Sequence, residues 1–257
     1  MFQQEKGEST EFTDALTGRK HFEAHGDRWA SLDENDALAL AVLMDRLFQR
    51  GGFTVEGLPG RYDMLIQPSG DCRAAALVSE NEAGEPGIDS VYPVLLGRRH
   101  RLRVEHIHEW AMPVHAEAEL YAESPATGPL TFFEPFYCRD REALEALKAS
   151  GGEADFLLSA WAYRVQRAGE KPAPALRPHL VASEYLFRLT VKEAAPTEFC
   201  GYPVWRLSVE LAEGAAPLFL YAPERALGGL VPQAGDELEG LLWLCGHLAD
   251  AFPAWKD

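Results

Sequence analysis

The C-terminal two thirds of this sequence contain one pattern of residues twice, in the same order. The matching positions lie between 83 and 88 residues apart, so the two copies differ by a short insertion. Such a repeat constrains architecture strongly, because each copy has to form the same supersecondary unit. The matched groups are Leu102-x-Val104 with Leu189-x-Val191, Pro129-Leu130-x-Phe132-Phe133 with Pro217-Leu218-x-Leu220-Tyr221, Ala143-Leu144-x-x-Leu147 with Ala226-Leu227-x-x-Leu230, and Gly152 with Gly235.

Alternating apolar and polar residues predict the same elements in both copies. In the first copy these are strands at 99–110, 115–123 and 129–137, a helix at 141–149 capped by Asp140, and a strand at 154–166. In the second copy they are strands at 185–193, 204–211 and 217–222, a helical segment at 224–230, and a strand at 236–248. Three strands, a helix and a further strand form an order that resembles the OB-type barrel. The predicted fold class is therefore mainly β (α+β), with two tandem OB-like β-barrel repeats preceded by a small α+β N-terminal region.

The repeat and the changes in composition divide the chain into five predicted segments. In the second of them, Asn35 or Asp36 can cap a helix over 37–48. Residues 62–80 then predict two strands around a turn, and residues 79–90 an acidic loop. The segments are a polar, partly flexible stretch at 1–34, the helix plus short strands at 35–91, the first OB-like β domain at 92–170, a Pro-rich connector at 171–183, and the second OB-like β domain at 184–257.

Composition limits the classes of partner. The chain has 40 acidic and 24 basic residues and a formal net charge of −16. Such a charge repels phosphate backbones and anionic lipids, so nucleic acid and membranes are disfavoured as partners. The four cysteines lie far apart and the N-terminus lacks a signal-peptide pattern, which together predict a cytoplasmic protein with buried thiols.

Two histidines make one stretch of the sequence a candidate metal site. In a regular strand, His106 and His108 would present their imidazoles on the same face as Leu102 and Val104. A third ligand could come from His115, Glu117 or Glu119 on the next strand. The cofactor is not identified by this pattern, although a divalent metal is one possibility. The alternative is that both histidines end an apolar face and satisfy their nitrogens with backbone carbonyls or water.

Four arginines in the same stretch form a candidate binding strip. Arg98, Arg99, Arg101 and Arg103 stand against few acidic neighbours, and arginine suits bidentate contact with phosphate or carboxylate. Trp110 follows as an aromatic platform. The competing interpretation, which the acidic composition favours, pairs these arginines with the protein's own carboxylates, such as Glu117 and Glu119. The binding residues predicted from the strip are Arg99, Arg101, Arg103 and Trp110.

No motif in the sequence predicts catalysis. The hydrolase, P-loop, dinucleotide-binding and zinc-ribbon signatures are all absent. Cys245 and His247 share a strand face, but a buried thiol is the preferred interpretation of Cys245. We therefore expect a binding or interaction protein, with another protein as its partner. The alternatives are a metal-dependent enzyme that uses His106 and His108, and single-stranded nucleic-acid binding through the strip at 98–103.

Overall fold

The computed structural model describes residues 11–13, 18–22, 26–49, 53–55, 62–67, 70–80, 84–110, 117–125, 127–169, 176–210 and 217–249. As the sequence predicts, the described chain is mainly β. Its helices are a 3-10 helix at Gly26–Ser31, α1 (Asp36–Gln49), α2 (Tyr137–Ser150) and α3 (Glu224–Leu227). Its strands are β1 (Glu11–Thr13), β2 (Lys20–Phe22), β3 (Phe53–Val55), β4 (Tyr62–Ile66), β5 (Cys72–Glu80), β6 (Pro86–Leu95), β7 (Arg98–Glu109), β8 (Ala118–Ser124), β9 (Gly128–Glu134), β10 (Glu153–Arg167), β11 (Leu176–Pro178), β12 (Glu184–Phe199), β13 (Tyr202–Glu210), β14 (Pro217–Pro223) and β15 (Glu237–Leu248).

The N-terminal layer is an antiparallel sheet of β3, β4, β5 and β6 with α1 packed beside it. The predicted helix is confirmed, and Asn35 caps it: its Oδ1 accepts the N–H of Leu38 at 3.2 Å. The apolar face of α1 is buried through Ala39, Leu43 and Leu47. The predicted loop at 79–90 is wrong in its second half. There β6 begins at Pro86 and extends the ladder opposite β5.

Within the predicted polar and partly flexible segment at 1–34, several described residues contact distant parts of the chain. Backbone bonds tie Lys20 of β2 to Leu180 and Ala182, at 2.8 and 2.7 Å. Trp29 of the 3-10 helix is buried and stacks on the ring of Phe199. These contacts join the stretch to residues far away in sequence, and it has no strong apolar period from which they could be predicted.

Nine strands form one continuous mixed sheet. Its strand order is β11-β12-β13-β14-β10-β15-β9-β8-β7, and further pairings join β12 to β15 and β10 to β7. These pairings close two rings of five strands: β7-β8-β9-β15-β10 and β12-β13-β14-β10-β15. Both rings contain β10 and β15. The strands of the two predicted domains thus belong to one sheet, and the prediction of tandem OB-like barrels is not confirmed.

The shared strands serve both rings because they are long. Along one edge, β10 pairs with β7 through residues 153–158 and then with β14 through 159–161. Along its other edge it pairs with β15. In turn, β15 pairs with β12 through residues 237–243 and meets β9 at Cys245. The pairings of β10 with β14 and of β15 with β9 are parallel. The other pairings of the two rings are antiparallel.

Side chains fill two separate cores. One runs through the interiors of both rings and includes Leu102, Phe156 and Leu207. The other lies between the N-terminal layer and the outer faces of the ring strands, where Trp161 and Trp243 are buried. The ring strands are therefore covered on their outer side over part of their length.

Two local features differ from the predictions. Helix α2 begins at Tyr137, and its N-cap Phe136 makes no side-chain capping bond. The predicted cap, Asp140, lies in the first turn instead and accepts hydrogen bonds from Arg139. In the predicted connector, residues 176–178 form β11, which pairs with β12 and extends the sheet.

Candidate functional site

A β-bulge decides where the two predicted metal ligands point. In the ladder of β7 and β8, Val104 faces Ala122 but His106 faces Tyr121, so Glu105 is an extra residue on β7. After the bulge, Ile107 takes the interior position and is buried. His106 and His108 do share a face, as predicted, but it is not the face of Leu102 and Val104. It is the outer face of the ring.

A third histidine, which the sequence did not single out, lies over this outer face. His21 of β2 is buried and bonds to the carboxylate of Glu119, the residue opposite His108. Its Nε2 lies 2.7 Å from the hydroxyl of Tyr121. Because a carboxylate accepts only, the Nδ1–H of His21 donates to Glu119. The ring of His108 stacks against His21 with 3.9 Å between centroids.

Ser183 completes this hydrogen-bonded group. Its Oγ lies 2.5 Å from Glu119 Oε1 and 2.6 Å from the carbonyl oxygen of Ala182. Its φ of +58° is in the left-handed region, which costs a serine about 1 kcal/mol or more. The order of contacts is tyrosine, imidazole, carboxylate, serine. A serine hydrolase needs the imidazole next to the serine, so this group is not such a triad.

The His21 group joins Tyr121, Glu119 and Ser183 through hydrogen bonds. Within the described ranges, no three His, Cys, Asp or Glu side chains are placed to hold a metal ion. Of the predicted third ligands, Glu119 binds His21. Glu117 is buried near Tyr92, and the pKa of Tyr92 is raised by burial and, to a smaller extent, by the charge of Glu117. His115 lies outside the described residues.

Three of the four arginines of the predicted strip pair with carboxylates of the protein itself, and the fourth, Arg98, lies over the ring of Phe219. Arg99 donates to Asp155 at 2.7 Å, and Arg101 contacts Asp155 and Glu153. Hydrogen bonding from Arg99 lowers the pKa of Asp155. Arg103 pairs with Glu105 and Glu123. The strip therefore makes internal ion pairs, although with carboxylates other than the predicted Glu117 and Glu119.

Two further candidates are buried. Trp110 is fully buried, and its ring lies 5.2 Å from that of Phe133, so it offers no stacking platform on the surface. Burial raises the pKa of the Cys245 thiol, and burial together with Arg139 lowers the pKa of His247 to about 3. A neutral thiol beside a weakly basic imidazole does not make a nucleophile at neutral pH.

Sequence reasoning missed a groove on the outer face of the shared strands. Four residues, one from each of β11, β12, β15 and β10, lie directly opposite one another: Arg177 pairs with Leu186, Leu186 with Leu241, and Leu241 with Arg164. Directly opposed residues point to one face of a sheet. The row therefore places two leucines between two arginines. The groove has a volume of about 460 Å³.

A second bulge gives this groove its composition. The register of β10 against β15 shifts between Ala162 and Arg164, so that Tyr163 is the extra residue. Regular pairing would have placed Tyr163 opposite Leu241 and turned Arg164 inward. Gly240 of β15 makes the fit possible, because a Cβ there would overlap the Arg164 carbonyl oxygen.

The arginines at the two ends of the row differ from the other cations near the groove. Neither Arg164 nor Arg177 has a carboxylate or another hydrogen-bond partner among the described residues. By contrast, Arg188 donates to Glu237 at 2.6 Å. The floor between the ends is apolar, with Leu186 40% exposed. The groove thus presents two guanidinium groups without an ion-pair partner among the described residues, beside exposed leucine. The carboxylate among its described lining residues, Glu239, accepts a hydrogen bond from Gln166 at 2.8 Å.

A larger open cleft of about 710 Å³ lies between the end of the 3-10 helix and the residues after α3. Its arginine, Arg225, is already engaged. It donates to the carbonyl oxygen of Ala30 at 3.1 Å and to Glu34 at 3.2 Å. The smaller groove is therefore the better candidate for an anion site, because its end arginines are not engaged by the described residues.

Comparisons with known proteins give no family to which the chain can be assigned. No protein-family model, no curated protein and no solved structure matches it significantly. None of the helices in the described ranges is long and apolar enough to cross a bilayer. The groove and the His21 group are therefore interpreted from their chemistry alone.

Proposed function

We propose that this chain is a non-enzymatic binding protein and that the groove over β10, β11, β12 and β15 is its ligand site. The observation that carries the proposal is the row Arg177–Leu186–Leu241–Arg164, whose arginines have no acidic partner in the described part of the chain. Arginine binds carboxylate and phosphate through paired N–H donors, and exposed leucine binds alkyl groups. The ligand is an anion with an apolar part.

The ring topology supports the finer fold assignment as part of this proposal. Each ring has three antiparallel strands, a helix, and a fourth strand that pairs with the first. A fifth strand, parallel to the third, stands between the third and the fourth. This is the strand order of an OB barrel, with the fifth strand supplied by the other half. OB barrels bind ligands on the face of their second and third strands, whereas this groove lies over β10, β11, β12 and β15. The proposed ligand site therefore rests on the chemistry of the groove and not on the fold.

Octanoate tests the site, because it combines a carboxylate with an alkyl chain. Its titration should shift the backbone NMR signals of residues that line the groove, whereas the cation octyltrimethylammonium should not. The double variant Arg164→Gln/Arg177→Gln should weaken octanoate binding about tenfold or more, as expected for the loss of a charge-assisted hydrogen bond. The control Arg99→Gln/Arg101→Gln changes the charge equally and should bind as wild type. Equal binding of both amphiphiles, or shifts elsewhere, would refute the proposal.

The two alternative functions stay predictions. A metal-dependent enzyme using His106 and His108 predicts bound metal, which elemental analysis of untagged protein detects. Nucleic-acid binding through the strip at 98–103 predicts salt-sensitive anisotropy with short oligonucleotides. The internal ion pairs of Arg99, Arg101 and Arg103 leave the strip less charge for such binding than the sequence suggested.

A further inference from the structure

We propose that the occupant of the groove is an extended segment of another protein in which an acidic, an apolar and a second acidic side chain alternate on one face. The inference rests on the proposed function of the groove as an anion site. It goes further by assigning the class of partner and the spacing of the groups that are recognised.

The spacing comes from the row of four opposed residues. Arg177 and Arg164 are separated by three inter-strand gaps, and neighbouring strands lie about 4.8 Å apart, so their Cα positions are about 14 Å apart. An extended peptide rises about 3.4 Å per residue, so its positions i and i+4 are also about 14 Å apart and face the same way. Position i+2 lies midway on that face, above Leu186 and Leu241. A peptide crossing the strands therefore matches the row in both spacing and chemistry.

Two anion receptors separated by an apolar floor distinguish this ligand from simpler ones. A monocarboxylate can satisfy Arg164 or Arg177 but not both, and inorganic phosphate leaves the leucines uncovered. Single-stranded nucleic acid binds largely by stacking its bases on aromatic rings. The aromatic residue among the described residues that line the groove is Phe187. It is 3% exposed, because its side chain packs in the core inside the strand rings. The floor between the two arginines is aliphatic, from Leu186 and Leu241, and the neighbouring row of the groove carries Gln166, Glu239 and Arg188.

Charge complementarity at the groove is local, and the overall charge of −16 acts against it. At physiological ionic strength, interactions between exposed charges fade over about 8 Å, so a ligand in the groove responds mainly to the charges that line it. These are Arg164 and Arg177 in the row, and Arg188 and Glu239 beside it. Spacing then becomes the main source of specificity. A segment with the same charges at other positions leaves one arginine without a carboxylate.

The test uses fluorescently labelled peptides and anisotropy with the full-length chain. The peptide with the central order Glu-Ser-Leu-Ser-Glu should bind. Its isomer Glu-Glu-Leu-Ser-Ser, which has equal charge but the wrong spacing, should bind about tenfold more weakly, as should Glu-Ser-Ser-Ser-Glu. Arg164→Gln and Arg177→Gln should each weaken the first peptide about tenfold, and each should abolish its advantage over the isomer. The control Arg99→Gln should retain both the affinity and the preference.

Equal binding of the two isomeric peptides overturns the inference. So does tighter binding of a ten-nucleotide oligothymidine that is lost in the same arginine variants, because the occupant would then be a nucleic acid. If octanoate binds in the groove but no peptide does, the inference fails and the proposed anion site stands. If neither binds, both fail. Thermal melting of each variant confirms that the protein is folded before binding is compared.

Discussion

Replacing His247 should make the protein markedly less sensitive to acid. The imidazole is buried beside Phe136, and burial with the charge of Arg139 lowers the pKa of His247 to about 3, from 6.5 in an exposed histidine. In the unfolded chain the imidazole of His247 therefore takes up a proton near pH 6.5, whereas in the folded chain it stays neutral until about pH 3. Folding stability is lost as the pH falls through this interval. At pH 5 the loss is about 1.5 pH units at 1.36 kcal/mol each, or about 2 kcal/mol.

Urea denaturation followed by tryptophan fluorescence at pH 7 and pH 5 measures this loss. His247→Leu removes the titrating group, so the decrease in unfolding free energy between the two pH values should be about 2 kcal/mol smaller than in wild type. Other groups titrate in both proteins and cancel in the comparison. Phe136→Leu is the control, because it removes the ring contact but keeps the imidazole, and its decrease should match wild type. An identical decrease in His247→Leu and wild type would show that the folded protein protonates this histidine, and the reasoning would be refuted.

Three other substitutions give distinct signatures. Burial raises the pKa of Glu134 well above 4.5, so wild type loses stability as the pH rises above about 4.5. Glu134→Gln has no such proton to lose, so its stability relative to wild type should increase with pH; a constant difference in denaturation experiments would contradict this. Gly240→Ala should lower stability by about 1–3 kcal/mol and weaken octanoate binding, because its Cβ overlaps a backbone carbonyl of β10, whereas Gly169→Ala, with no atom within 4 Å, should do neither. Glu119→Gln should speed hydrogen exchange at the backbone amides that hold β2 in place and cost about 1 kcal/mol, because it replaces the charge-assisted hydrogen bonds from His21 and Ser183 with neutral ones. The exposed Glu123→Gln should leave exchange unchanged, and equal effects would contradict the assigned role.

Much of the order of strands and helices could be predicted from the sequence, because alternation of apolar and polar residues is a local signal. The strands β7, β10, β13 and β15 lie within a few residues of their predicted positions. The pairing of β9 with β15 and of β14 with β10 could not be predicted, since the partners are distant in sequence and alternation does not identify them. The same alternation of apolar and polar residues is therefore compatible both with two separate barrels and with two rings that share strands.

The candidate sites were predicted less well, because one extra residue reverses the face to which a strand directs its side chains. The bulge at Glu105 turned His106 and His108 outward, and the bulge at Tyr163 turned Arg164 outward. Neither bulged segment contains a glycine or proline, and Gly240, which accommodates the second bulge, lies on the partner strand far away in sequence. His21 was overlooked because its short strand has no periodic signal. The groove takes its residues from four strands, so no continuous motif of the sequence records it.

The sharing of β10 and β15 also determines how the chain can be divided. A fragment that ends after β10 keeps four strands of the first ring but lacks β15, and the complementary fragment lacks β10. Each piece exposes a strand edge whose matching strand is carried by the other, so neither has a complete hydrogen-bonded ring. Two halves expressed as separate polypeptides should therefore assemble with each other. The chain then corresponds to a covalently joined dimer whose subunits exchange a strand, and we expect its halves to fold only together.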